Sequence, residues 1–189
     1  SGKSTTLYTA LSELNKDEVN IVTVEDPVEA ALEGINQIQV NNKVNLTFAT
    51  ALRSILRQDP DIIMIGEIRD SETASIAVLA SITGHLVVST LHTNNATGTL
   101  DRMVDMGVER YMLADSVVGV IAQRLVRKLC PHCRRKRLAT PEEKRLMYFS
   151  EEETVEIYEP GGCKLCNDTG YYGRKGIFEI MEMNEEIRR

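Results

Sequence analysis

Ser1-Gly2-Lys3-Ser4-Thr5 is the second half of the pattern G-x-x-x-x-G-K-[ST]. In that pattern the loop and helix-start N–H groups cradle phosphate oxygens, the lysine reaches the β- and γ-phosphates and the hydroxyl ligates Mg²⁺. Read this way, Ser1, Gly2, Lys3, Ser4 and Thr5 bind a nucleotide and Ser4 holds magnesium. The alternative is a chance S-G-K-S at a helix start. The first glycine and the strand that should precede the loop are not in the sequence, and there is no initiator Met, so the chain reads as part of a longer protein.

Acids follow apolar runs twice. Asn20-Ile21-Val22-Thr23-Val24 leads into Glu25-Asp26-Pro27 and then Glu29, carboxylates that either orient water and hold Mg²⁺ through water or form a solvated acidic turn. Ile62-Ile63-Met64-Ile65 leads through Gly66 to Glu67, which resembles the end of a Walker B strand with Glu in place of the usual Asp. Arg53 and Arg57 lie one helical turn apart, a repulsive pair unless an anion is near, and Arg69 follows Glu67. The alternative for these arginines is surface pairing with Asp59, Asp61 and Asp70. His85 and His92 are either γ-phosphate sensors or polar strand-end residues.

Cys130-Pro131-His132-Cys133 and Cys163-Lys164-Leu165-Cys166 are two metal knuckles that together offer the four thiolates one tetrahedral Zn²⁺ requires. The stretch between them is longer than the usual zinc-ribbon spacing of about 15–20 residues. It carries its own elements: Thr140-Pro141-Glu142-Glu143 is a capping box with Pro at the first helical position, and Val155–Tyr158 reads as a strand. Paired cysteines in an enzyme-like chain point to metal and a reducing compartment rather than to disulfides.

The elements that must position these groups alternate between helix and strand. Helices are expected over 5–14, 46–57, from a Ser71 cap to Gly84, near 97–106 and over 110–128, with strands at 20–24, 62–65 and 86–88. Short apolar strands alternating with helices predict an α/β fold with a mainly parallel sheet covered on both faces, whose ligands sit at the carboxyl ends of the strands. The domain division is a core over 1–129, a tetracysteine module over 130–176 and a return segment over 177–189. With 189 residues, 42% apolar, a net charge of −6 and a pI near 5.2, the chain is a soluble-type domain and not a general nucleic-acid binder. The segment 73–100 has no charged residue, yet its apolar runs are too short and too interrupted by Ser, Thr, Asn, Gly and His to span a bilayer. Arg124–Arg137 is locally basic and reads either as a solvated run or as a contact for anionic lipid or an acidic partner.

Taken together, the sequence resembles the ATPase family of type II secretion and type IV pilus assembly over nearly its whole length. The residues that carry the resemblance are Ser1–Tyr8, Thr23–Glu29 (the Asp box), Leu56–Asp61 running into Gly66–Asp70 (Walker B), and Thr83–His85 through Thr90–Asn94 (the His box). The resemblance implies a RecA-like P-loop ATPase core and a homo-hexamer working with inner-membrane assembly-platform proteins at the cytoplasmic face of the inner or plasma membrane. ATP, Mg²⁺ and Zn²⁺ are the implied cofactors, and no nucleic acid is expected. Glu67 and Glu25 would position or activate the attacking water, and Arg53, Arg57, Arg69 and His92 would serve the γ-phosphate or the subunit interface. Cys130, Cys133, Cys163 and Cys166 resemble the insertion of the secretion and pilus-extension branches. The implied function is to drive pseudopilus assembly in type II secretion; pilus extension is the alternative and a zinc-ribbon nucleic-acid module a distant one. The missing upstream region usually supplies further arginines, so the isolated chain is expected to be a poor ATPase.

Overall fold

The computed structural model describes residues 2–188. They pack as two compact units, one comprising the chain up to Gln123 with the segment from Phe178 onward, the other Arg124–Ile177. The first unit is built on four parallel strands in the order β2 (Asn36–Gln39), β1 (Ile21–Glu25), β3 (Ile62–Ile65), β4 (Leu86–Ser89). β1 and β3 are buried along their whole length, as expected where helices cover both faces of a parallel sheet.

Strand alternation decides which side chains face which layer. Val22, Val24, Ile63 and Ile65 pack with α2 (Phe48–Ile55), α3 (Ser71–Ile82), Met103 and Leu113. Ile21, Ile62 and Met64 pack on the other side against Leu11, Leu7 and Tyr8 of α1 (Lys3–Leu14). The same period puts Thr23 and Glu25 on the α1 side, at the strand end nearest the start of that helix. A fully buried Leu or Ile in these layers contributes about 1.5–3 kcal/mol.

Local chemistry sets the helix starts. α2 begins at Phe48, later than the expected 46, because Leu46 bridges back to Asn41 and Thr47 forms a reciprocal capping box with Thr50. The cap of α3 is Asp70, not the expected Ser71: the Asp70 carboxylate accepts from the Thr73 N–H at 2.8 Å and from the Thr73 hydroxyl at 2.9 Å. Asp70→Ala in the full-length protein should therefore cost about 1 kcal/mol, seen as a lower urea midpoint. Ser71→Ala should stay within roughly 0.5 kcal/mol, and equal effects would return the cap to Ser71.

The helix expected over 110–128 is corrected. After α4 (Thr97–Asp105), α5 ends at Ser116 (Arg110–Ser116) and the chain becomes β5 (Gly119–Leu129), paired with β8 (Tyr171–Glu182). Val117, Val118, Val120 and Ile121 are β-branched, and a partner strand some fifty residues away decides the outcome over local helical spacing. At Gly119 an added Cβ would stand 3.2 Å from the Met181 carbonyl oxygen, a tight approach that a glycine relieves. β2 was not expected either, because its Asn-Gln-Ile-Gln sequence carries no apolar alternation and it lies at the sheet edge.

In the second unit β6 (Arg135–Leu138) runs antiparallel to β7 (Glu156–Glu159), and α6 (Pro141–Leu146) starts from the expected Thr140/Glu143 capping box. Arg137 grips both Glu143 oxygens at 2.7 and 2.6 Å and reaches Glu159 at 3.1 Å. That guanidinium, with the Thr140 N–H, holds the Glu143 carboxyl at about 2. Lys136 pairs with Glu156 at 2.6 Å, and Arg134 and Arg127 lie over the rings of Tyr158 and Tyr171.

Candidate nucleotide site and candidate metal centre

Gly2 caps α1 in the left-handed conformation, φ 76°, which disfavours a side chain and lets the loop turn into the helix. The free N–H groups and positive dipole end of α1 then face a cavity of about 210 Å³ at the carboxyl ends of β1, β3 and β4. Its lining includes Lys3, Ser4, Glu25, Glu67, Thr90 and His92. Lys3 Nζ donates to the Leu91 carbonyl at 2.9 Å and Ser4 Oγ to Glu29 Oε1 at 3.0 Å. Thr6 joins the Gln123 side chain of β5 at 2.8 Å. Thr5 is exposed, and Ser1 lies outside the described residues.

Across the cavity Gly66 closes on the Asp box, its N–H donating to the Val24 carbonyl at 2.8 Å, and the Thr90 hydroxyl donates to the Gly66 carbonyl at 2.7 Å. These bonds set the Glu67 carboxylate between Arg69, which donates to Oε1, and His92, whose Nε2 is 3.3 Å from Oε2. Arg69 also lies 3.8 Å from Asp26. The hydrogen bond from Arg69 holds the Glu67 carboxyl below the usual carboxylate range, against the opposing effect of burial, and the charges of Arg69 and His92 add to it. Glu67 is therefore an ionised acceptor fixed on both oxygens and open to the cavity.

Glu25 is only 3% exposed. Its Oε1 accepts from the Thr23 hydroxyl at 2.6 Å and the Gln37 amide at 3.0 Å, and its Oε2 accepts from the Tyr8 hydroxyl. The solvated-turn alternative does not describe it.

The structure thus brings Lys3, Ser4, Glu25, Glu67, Arg69 and His92 together. Arg53 and Arg57 stay outside: Arg53 pairs with Glu72 at 2.6 Å, and Arg57 donates to the Arg53 carbonyl at 2.7 Å. The expected surface partners Asp59, Asp61 and Asp70 are not theirs, since Asp61 accepts from the Asn20 N–H and Asp70 caps α3. His85 is at the opposite end of β4, bonded to the Ala80 carbonyl at 2.9 Å, and so is the strand-end residue of its two readings. Tyr8, Thr23, Gln37 and Thr90 belong to the site and were not singled out from the sequence. The signal available was the spacing, since Tyr8 is one helical turn from Ser4 and Thr23 is two residues before Glu25.

In the second unit the sulfurs of Cys130, Cys133, Cys163 and Cys166 lie within 4.8 Å of one another. Cys130–Cys163, Cys133–Cys166 and Cys163–Cys166 are 3.9, 3.7 and 3.7 Å apart. A tetrahedron with Zn–S bonds of about 2.3 Å has edges of about 3.8 Å, so the thiols fit zinc. Burial, then the neighbouring thiols, push Cys133 up to about 12, while Cys166, against the effect of burial, is drawn down to about 6 by backbone hydrogen bonds at Cys163 and Gly170. The Gly170 N–H, 3.3 Å from Cys166 Sγ, and the Cys130 N–H, 2.9 Å from the Gly170 carbonyl, tie the two knuckles together.

A family model described as "Type II/IV secretion system protein" matches residues 1–189. Over 188 residues the chain is 57% identical to type II secretion system protein E of Aeromonas hydrophila, covering all of this chain and 38% of that protein. It is 54% identical to type II secretion system ATPase E of Vibrio cholerae, covering 37% of that protein. The chain therefore spans well under half the length of these relatives. Among solved structures, the pilus retraction motor PilT with bound ADP superposes with a TM-score of 0.70 at 32% identity, over all of this chain and 46% of that one. The Legionella pneumophila ATPase DotB gives 0.65 at 26% identity, over 99% of this chain and 44% of that one. The chain belongs to the type II/IV secretion system protein family.

Proposed function

We propose that the chain is the motor segment of an ATP-hydrolysing protein that powers pseudopilus assembly in type II secretion. One observation carries the reading: a phosphate-binding helix start with Lys3 and Ser4 faces, across a single cavity, a carboxylate held ionised between Arg69 and His92. The α1 N–H groups and Lys3 bind the phosphates, and Ser4, released from Glu29, ligates Mg²⁺, which offsets the phosphate charge when bound. Glu67 orients the attacking water, Glu25 supports it from the wall of the cavity, and Arg69 and His92 sense the γ-phosphate while fixing Glu67. Phosphoryl transfer asks a protein mainly for such positioning and electrostatics.

The relatives named for type II secretion favour that system over pilus extension. Working as a homo-hexamer on an inner-membrane platform, at the cytoplasmic face, belongs to the same proposal. Arg53 on α2 and Arg57 in the turn after it, both exposed and away from the cavity, fit the interface half of their reading. The division into a core over 1–129, a zinc module over 130–176 and a return segment over 177–189 is supported by the cysteines and the capped helix lying inside Arg124–Ile177. Contact of the basic stretch 124–137 with anionic lipid or an acidic partner belongs to the same proposal; Lys128 and Arg135 are exposed for it, while Lys136 and Arg137 are already paired with Glu156, Glu143 and Glu159. No helix among the described residues is long and apolar enough to cross a membrane.

The test is nucleotide affinity in the full-length protein. Lys3→Ala removes a charge-assisted hydrogen bond and should weaken ATP binding by roughly tenfold to a hundredfold, measured by equilibrium titration with Mg²⁺ present. Unchanged affinity would remove Lys3 from the phosphate site.

A further inference from the structure

Tyr8 stands one turn of α1 beyond Ser4, on the same face of the helix. Its ring packs with Leu11, Ile21, Ile62 and Met64, and its hydroxyl is used twice. It donates to Glu25 Oε2 and accepts from the Glu29 backbone N–H at 3.1 Å. The Glu29 side chain in turn accepts from Ser4 at 3.0 Å. The circuit Ser4–Glu29–Tyr8–Glu25 therefore closes between the phosphate-binding helix and the strand-end acids. Thr23 and Gln37 hold only the other Glu25 oxygen, so in this structure Tyr8 is the bond between Oε2 and α1. Burial, then the bond to Glu25, keep the phenol protonated well above neutral pH, so it remains a donor under working conditions.

We infer that Tyr8 is a positioning residue for hydrolysis: it fastens the Glu25 carboxylate and the Glu29 backbone to the helix that holds the phosphates, so that acid and nucleotide keep one geometry. The inference rests on the proposed role of Glu25. A plain packing role for Tyr8 needs only the ring, whereas the positioning role needs the donor, and Phe separates the two.

The experiment measures steady-state ATP hydrolysis by the full-length protein carrying Tyr8→Phe, Glu25→Gln, both, or 4-aminophenylalanine at position 8. A carboxylate displaced by a fraction of an ångström slows a positioned reaction strongly, so Tyr8→Phe should lower kcat about 10- to 100-fold. KM for ATP should stay within roughly twofold, the split expected when binding is intact and only the reacting geometry suffers. The aryl amine restores an N–H donor at the same place and should recover most of kcat. Adding Tyr8→Phe to Glu25→Gln should cost nothing further. Full activity of Tyr8→Phe beside an inactive Glu25→Gln, or equal rates with Phe and the aryl amine, overturns the inference and leaves Glu25 in place. Full activity of Glu25→Gln removes the role of Glu25 itself and the inference with it.

Discussion

In the full-length protein Glu67→Gln should bind ATP as tightly as the unmutated protein and hydrolyse it about 10²–10⁴-fold more slowly, the usual loss when a positioned acid or base is removed. Gln keeps the length and one acceptor oxygen, so His92 and Arg69 can stay close, but the negative charge that orients water is gone. The pH dependence follows from the same contacts. Arg69 hydrogen-bonds Glu67 and lowers its pKa in the folded protein. The carboxylate thus stays ionised to lower pH than an unperturbed one, and the acid limb of any activity that depends on it should lie correspondingly lower. Arg69→Ala removes the main cause of that shift, so the acid limb of kcat should move upward. Single-turnover rates separate this from product release. A Glu67→Gln protein that turned over at the unmutated rate would assign the water to another group.

These effects depend on a sheet that is largely legible in the sequence. β1 and β3 stand out because runs such as Ile62–Ile65 without alternation occur where both faces are buried, and an acid directly after such a run lands at the ligand-binding edge. Glu25 and Glu67 are visible for that reason, and Lys3 and Ser4 through the G-K-S pattern at a helix start. β5 is hidden because 110–128 has acceptable helical spacing and its partner β8 starts only after the second cysteine pair; no local window contains that pairing. β2 was invisible for the opposite reason, being polar and held by its parallel register with β1. The role of Tyr8 depended on the facing of two elements at once. Spacing places its hydroxyl on the Ser4 side of α1, but only the packing of α1 on the Thr23–Glu25 face of β1 brings it to the carboxylate.

Removing one cysteine should have the largest effect on stability. Among the described residues of Arg124–Ile177 the buried apolar side chains are Cys130, Ala139 and Cys166. Two of the three are proposed metal ligands, and none is larger than cysteine. Units this small with so little apolar burial are held by a metal or by disulfides, and these four cysteines are free thiols at zinc-like separations. A structural zinc contributes on the order of 10 kcal/mol to such a fold, far more than the ion pairs of Arg137 and Lys136 on its surface. Cys163→Ser should therefore unfold this unit and leave the parallel sheet, whose core contains none of the four thiols, largely intact. Hydrogen exchange reads the two outcomes separately: amides of β6 and β7 should lose protection while those of β1 and β3 keep theirs. Protein purified without added metal should carry close to one zinc per chain by elemental analysis, and chelation of the unmutated protein should reproduce the mutant's exchange pattern. A metal-free protein that kept full protection in β6 and β7 would overturn the assignment, because nothing else buried in that unit could supply the missing stability.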